Sequence, residues 1–288
     1  MGNRSRNLLY ANDISTGGLA VAKNSSGQFL NNAVLYTNGA SSSYDALQTQ
    51  LQKRFSRNVQ GQISYTWGHT IDNNTGIFNG LGDSRNGRGG PIDPFDINLD
   101  KGNSALDVRH LVSGNAIIDL PFGKGQRYLT TGPERLVGGW QINIIESARS
   151  GFPYSVVCTN CNGANRPSLI GNPFANVPAG LIINPAAFTT AASAQRTVTN
   201  PAGNTIRFGT LGRNTFRGPA IFNTDISIFK NTRFTEKTKV QLGFEFFNVF
   251  NHPNFTVPSN DLANGDFGQI KNNALPGRVV QYRLKFIF

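Results

Sequence analysis

The sequence predicts an all-β protein: an antiparallel up-and-down transmembrane β-barrel segment of about seven or eight strands with long extracellular loops. Three observations lead there. Long runs alternate apolar and polar side chains, the period at which successive strand residues face opposite ways. The connections between those runs alternate short and long. The roughly 3.6-residue periodicity of an amphipathic helix is nowhere sustained.

Composition sets the bounds. The chain has 288 residues, 38% of them apolar and only 15% charged, with 32 Gly and 21 Phe. That is lean for a soluble core of this size. It suits strands with a small-polar interior face joined by long loops. No stretch approaches the ~18 consecutive apolar residues of a membrane helix. Barrel strands give only a weak hydropathy signal, so a membrane protein stays in view. The net charge of +11 comes from scattered basic residues without a Lys/Arg block. Nucleic-acid binding is therefore not expected, and lumen-facing or lipopolysaccharide-level cations are the simpler reading. The start, Met1-Gly2-Asn3-Arg4-Ser5-Arg6-Asn7, lacks the apolar stretch of a secretory signal. On the membrane reading the chain is expected to be a fragment, or to have its start further upstream.

The elements follow in order. Residues 1–43 read as a loop-rich segment with one short strand candidate, Ala33-Val34-Leu35-Tyr36. Residues 44–288 read as barrel. From Tyr44, Leu47, Thr49, Leu51 and Phe55 share one face, while Gln48, Gln50, Gln52 and Arg54 share the other. Ser56-Arg57-Asn58 is a tight turn. The return strand puts Val59, Ile63, Tyr65 and Trp67 outside and Gln60, Gln62, Ser64 and Thr66 inside. Each run is ~12 residues, near the length a tilted membrane strand needs. A loop over roughly 72–106 precedes a strand at about 107–120, where Val112, Gly114, Ala116 and Ile118 alternate with Ser113, Asn115 and Asp119. Pro121-Phe122-Gly123-Lys124-Gly125 is a turn. Trp140, Ile142 and Ile144 then face away from Gln141 and Asn143 on a strand of about 136–150. A second loop runs to about 220. Ile226 and Ile228 alternate with Asp225 and Ser227, and after a turn at Thr235-Glu236-Lys237, Val240, Leu242, Phe244 and Phe246 alternate with Gln241, Gly243 and Glu245. A third loop, about 251–276, leads to the last strand. With short turns periplasmic and long loops extracellular, all six connections fall on the expected sides.

In that last strand Val280, Tyr282, Leu284, Phe286 and Phe288 alternate with Gln281, Arg283 and Lys285. An aromatic strand edge exposed at the end of a soluble protein templates aggregation, whereas an outer-membrane barrel closes on such a strand. The terminal Phe resembles the signal read by the barrel-assembly machinery, with Tyr282, Leu284 and Phe286 as the rest of the row. Further segments resemble Oar-like TonB-dependent outer-membrane receptors: Ser43-Tyr44-Asp45-Ala46-Leu47-Gln48-Thr49-Gln50-Leu51, Asp107-Val108-Arg109-His110-Leu111, Leu120-Pro121-Phe122-Gly123-Lys124-Gly125, Gly139-Trp140-Gln141-Ile142 and, most strongly, Glu245-Phe246-Phe247-Asn248-Val249-Phe250-Asn251-His252-Pro253-Asn254-Phe255. The resemblance covers about 44–288, in order. It implies the C-terminal part of a barrel of about 22 strands with a plugged lumen. It also implies a bacterial outer-membrane location, contact with lipid and lipopolysaccharide, and solute uptake energised by TonB acting on a plug domain. The plug and TonB-contacting segments of such receptors are not among these residues.

Sites of chemistry are sparse. Gly82-Asp83-Ser84, with His69, His110 or His252 as partners, lacks the strand–turn–helix context of a nucleophile elbow. Gly80-Leu81-Gly82 lacks the third glycine of a dinucleotide fingerprint. The chain is expected not to be an enzyme and to use no cofactor. Asp93, Asp96, Asn98 and Asp100 offer oxygen atoms to a calcium ion, but their spacing is not that of an EF-hand; a solvated acidic loop is the default. Cys158 and Cys161 form a C-x-x-C in a loop without a following helix, so a local disulfide is expected rather than a redox motif. Arg54, Arg109, Glu245, Arg283 and Lys285 fall on the lumen face, where charges need partners; Glu245 is expected to pair with Arg283 or Lys285. Tyr65, Trp67, Trp140, Phe244 and Phe246 fit lipid-interface girdles. The functional expectation is a barrel wall with surface loops for capture and uptake of an unidentified solute. The rivals are a non-transporting adhesion or structural barrel and a secreted β-sandwich binding module. In the sandwich, Val240, Leu242, Phe244 and Phe246 would be buried in a water-soluble core.

Overall fold

The structure, a computed structural model, describes residues 1–13, 34–75, 96–158, 166–199, 205–235 and 238–288. Strands this long must satisfy backbone groups along both edges, and hairpins in chain order do so. The long strands are β1 (Gly2–Asp13), β2 (Val34–Ser56), β3 (Val59–Asp72), β4 (His110–Asp119), β5 (Trp140–Arg149), β6 (Ile221–Arg233), β7 (Lys239–Phe247) and β8 (Val279–Ile287). They pair antiparallel in that order, and a short strand, Gly102–Asn103, pairs beside β3 to complete a nine-stranded sheet. The sheet is open, with β1 and β8 at its edges. Among the described residues no helix is long and apolar enough to cross a membrane. The all-β, antiparallel fold class expected from the alternation is the one observed.

Register turns alternation into two chemically different faces. On one face Leu47 lies opposite Trp67 and Leu51 opposite Ile63. Tyr65 meets Val112, Ile118 meets Ile142, and Ile142 meets Ile228. The row continues through Ile228 opposite Phe244, then Phe244 opposite Tyr282 and Leu242 opposite Leu284. On the other face Gln52 lies opposite Gln62, Ser64 opposite Ser113, Ser113 opposite Ser147 and Ser227 opposite Glu245. A predominantly apolar face suits lipid, and a polar face suits a lumen. Exposed Leu47, Leu51, Ile63, Trp67 and Phe286 on the apolar face would be a heavy liability in water.

Glu146 and Lys230 interrupt the apolar face. Glu146 lies opposite Thr224 and accepts its hydroxyl hydrogen bond at 2.5 Å, while its second carboxylate oxygen is buried without a partner. Lys230 lies opposite Trp140, with its ammonium 5.6 Å from the indole centroid and donating to the Gly138 carbonyl. On the polar face Phe229 fills the space above its cross-strand neighbour Gly243. A Cβ at Gly243 would come within 2.7 Å of that ring, so glycine is what lets the aromatic lie flat there.

The β2–β3 connection is the expected tight turn. Arg57 and Asn58 have φ of 51° and 63°, the positive values a two-residue type I′ hairpin needs at both central positions. Two expectations need correction. Within residues 1–43, Gly2–Asp13 is a strand that was not expected, and β2 begins at Val34 rather than Tyr44. Register shifts between Ser5 and Leu8 and between Leu8 and Tyr10 disrupt the period-2 pattern, which is why alternation did not reveal it. The chain does turn at Pro121–Gly125, where the Gln126 N–H donates to the Gly123 carbonyl, but the connection after β4 is longer than that turn: it runs over 120–139 and includes a helical turn, Glu134–Val137. There the Glu134 carboxylate accepts the Lys124 backbone N–H at 2.6 Å, and β5 starts at Trp140 rather than near 136. The long loops carry a buried apolar cluster of their own.

If the apolar face meets lipid, Ile144→Arg in mid-β5 should destabilise the folded chain by about 2–4 kcal/mol. Ser113→Arg, on the polar face, should change it little. Chemical unfolding in lipid vesicles measures both, and equal effects would contradict the assignment of faces.

Candidate functional site in the interlocked surface loops

The three long connections, 73–109, 150–220 and 248–278, leave the sheet at the same end, because each joins successive antiparallel strands from that side. Most of the buried apolar side chains lie here, not in the sheet. Tyr154, Val156, Ile183, Ala187, Phe188, Leu211 and Phe216 from the second loop pack with Phe267 from the third, and Leu262 lies against them. Phe188 meets Phe216 edge-on at 5.8 Å and Phe267 at 5.8 Å, the T-shaped geometry aromatic quadrupoles favour. Short strands frame the cluster: Pro153–Tyr154 pairs with Phe216–Arg217, and Ser168–Leu169 with Phe188–Thr189. Gly151 allows the closest approach; a Cβ there would lie 1.9 Å from the Gly218 carbonyl oxygen.

Beneath this cluster the loops are knotted by buried charge. The Arg213 side chain is fully buried and pairs with the Asp72 carboxylate at the end of β3. It donates to the backbone carbonyls of Asp72 at 3.0 Å and Asp100 at 2.9 Å, and to the Thr75 hydroxyl at 2.8 Å. Arg166 pairs with buried Asp100 at 2.6 Å. Arg217 pairs with buried Asp107 and donates to the carbonyls of Asp107 and Gly151. Asp107 also receives the Thr70 N–H at 2.6 Å and Arg109 Nε at 3.2 Å. Amides complete the knot. Asn214 and Asn103 donate side-chain N–H groups to each other's backbone carbonyl at 2.8 Å and 2.9 Å. Asn260 of the third loop donates to the Ser155 carbonyl at 2.6 Å. Every loop is thereby bonded to at least one other.

Two ionisations in the loop layer reflect this packing. Burial pushes the Tyr154 phenol up to about 12. Hydrogen bonds from Lys271 and then Ser259 hold the Asp266 carboxyl below the usual carboxylate range.

The expected site residues scatter across this frame. Arg109 is a loop residue beside β4; besides Asp107 it meets His69 Nε2 at 2.7 Å. Glu245 and Arg283 approach to 3.5 Å across β7 and β8, diagonally, since Glu245 lies opposite Gln281 and Arg283 opposite Gly243. Arg283 also lies 4.7 Å above the Phe229 ring. Lys285 lies opposite Gln241. Arg54 stands exposed near the β2–β3 turn. Tyr282, Leu284, Phe286 and Phe288 line the open β8 edge, and Phe288 is wholly exposed. Cys158 is buried and disulfide-bonded; Cys161 lies outside the described residues. So do Asp93 of the calcium set and Gly82-Asp83-Ser84. Asp96 instead caps a short 3-10 turn, accepting the Asn98 N–H at 3.0 Å, and Asp100 is turned into the Arg166 pair. Among the described residues no group of three or more His, Cys, Asp or Glu is placed to hold a metal. The three histidines have separate neighbours: His69 meets Asn103, His110 meets the Tyr65 hydroxyl, and the His252 ring meets Phe222.

Sequence reasoning missed Arg166, Arg213, Arg217 and Asp72. A signal was available. Asn165-Arg166-Pro167 and Gly212-Arg213-Asn214-Thr215-Phe216-Arg217-Gly218 set isolated cations in otherwise uncharged loop sequence.

A family model for an outer membrane beta barrel domain matches residues 1–281. The chain belongs to that family. It is thus an outer-membrane barrel protein, and its apolar face suits a lipid-facing wall. No curated protein matches the chain, and no solved structure does.

Arg213→Leu should loosen the barrel's loop layer by roughly 3–5 kcal/mol, because it strands Asp72 as an unpaired buried charge. Limited proteolysis should cut the long loops faster while the strands stay protected; unchanged loop protection would remove Arg213 from this role. The raised Tyr154 pKa favours the neutral phenol in the folded loops. Its contribution is therefore complete below pH 10 and declines as pH rises towards about 12. Ultraviolet difference titration of the native chain against Tyr154→Phe should show one late-titrating phenol.

Proposed function

We propose that the chain is the wall and surface-loop portion of a TonB-dependent, Oar-like receptor, serving solute capture and uptake without catalysis of its own. What supports this most is the open sheet with a polar inner face. In lipid no backbone N–H or C=O can go unpaired, so β1 and β8 must meet other strands or each other. A sector with two free edges, carrying Gln, Ser, Asn and a Glu245–Arg283 pair inside, is what a large solute-conducting barrel contributes. The segments ending in Glu245-Phe246-Phe247-Asn248-Val249-Phe250-Asn251-His252-Pro253-Asn254-Phe255 add the resemblance to the receptor type. In this reading the plug and TonB act on the same barrel, the barrel-assembly machinery engages the β8 row ending in Phe288, and the loops select a solute whose identity lies outside the residues.

A second reading has one observation in its favour. The loop layer is cross-braced by buried ion pairs, which suits a rigid adhesive surface as well as a capture site. The coding DNA in frame upstream of the Met1 codon separates the two. Further alternating strands, a plug and a TonB-contact segment would establish the receptor. An upstream stop codon with no plug encoded would leave the adhesive or structural barrel.

A further inference from the structure

The cations at the two ends of the sheet are disposed differently. At the long-loop end Arg166 and Arg213 are buried, and Arg217 half-buried, against carboxylates, while Arg196, Arg207 and Arg278 are exposed. At the short-turn end Lys53, Arg57, Lys124, Arg127 and Arg135 are exposed, and none of them forms an ion pair with a described residue. Aromatic rings stand among them instead. Arg127 lies 5.4 Å over Tyr128 and Arg135 5.5 Å over Phe234. Beside them a cleft of about 530 Å³ opens among Arg135, Arg233, Lys239 and Trp140, with Asp119 and Glu134 also in its wall.

We propose that this short-turn rim binds the phosphate headgroups of anionic phospholipid in the periplasm-facing leaflet. Short turns are the periplasmic side of such barrels. Aromatic rings sit at headgroup depth, and long cationic side chains reach from apolar wall to phosphate. Unpaired cations interleaved with rings therefore complement a layer of anionic headgroups, and the cleft provides a seat for one of them. The inference rests on the barrel family and its sidedness, not on transport, so either can fail without the other.

The chain holds two tryptophans, and they report on opposite ends of the apolar face. Trp140 opens β5 at the short-turn end, and Trp67 pairs with Leu47 and His110 towards the long loops. The full chain, folded in zwitterionic micelles, is titrated with spin-labelled phosphatidylglycerol or spin-labelled phosphatidylcholine. Fluorescence is read from Trp140 in Trp67→Phe and from Trp67 in Trp140→Phe. Each cation near an anionic surface favours association by roughly fivefold at low salt. Phosphatidylglycerol should therefore quench Trp140 at several-fold lower lipid content than phosphatidylcholine, with no such difference at Trp67. Salt should abolish the preference, as should the combined variant Lys53→Gln, Arg57→Gln, Arg127→Gln, Arg135→Gln, whose heat-modifiable gel migration checks that it is folded. Equal quenching of Trp140 by both lipids overturns the proposal. So does a preference that is equal at Trp67 or survives in the variant. Displacement of the anionic lipid by inorganic phosphate at equal concentration would reassign the rim to free phosphate.

Discussion

The buried guanidinium–carboxylate knot beneath the loops is the constraint on which the outer part of the molecule depends. Burying a charge costs several kcal/mol unless it is paired and its remaining hydrogen-bonding capacity is used. Arg213 goes most of the way to that condition by bonding a carboxylate, two carbonyls and a hydroxyl at once. Asp107 meets it with two arginines and a backbone N–H. Bonds of this kind have one workable geometry, so they fix the loops relative to the strand ends. The aromatic cluster of Phe188, Phe216 and Phe267 then packs on a defined floor.

The sheet obeys a different rule. Its apolar face gains nothing from internal packing and suits a hydrocarbon solvent, so the side chains there need only be apolar. They need not interlock, and the exposure of Leu51 and Phe286 is what such a face requires. The polar face uses amides and hydroxyls opposite one another, and carries the Glu245–Arg283 diagonal pair. Glu146 departs from the rule. Placed near the loop end of β5, it holds Thr224 across the strand pair at the cost of one unpartnered oxygen.

The sheet was legible because its physics is written at period two. Leu47 to Phe55, Val59 to Trp67 and Val240 to Phe246 each announce their face, and Arg57-Asn58 announces its turn. The strand Gly2–Asp13 was hidden by its register shifts. The loop layer was hidden for a deeper reason. Its core residues lie far apart in sequence with no period, so the short apolar runs around Tyr154 and Ile183 and the lone Phe267 give no sign of one another. An arginine between Asn165 and Pro167 gives no hint of Asp100 as its partner. Pairing across such separations is a property of the chain's path, not of any local pattern.

That path has a consequence for the order of folding. Arg213 reaches Asp72 across 141 residues of sequence, so its bonds close a circuit that includes β4, β5 and most of the second loop. The entropy of closing so large a circuit must be met before any of those bonds forms, whereas the β2–β3 and β6–β7 hairpins close short ones. The knot is therefore a late event, made after the strands are aligned. Until then the outer face of the barrel is a set of separate loops, and the closed knot marks a wall whose strands have all reached their final register.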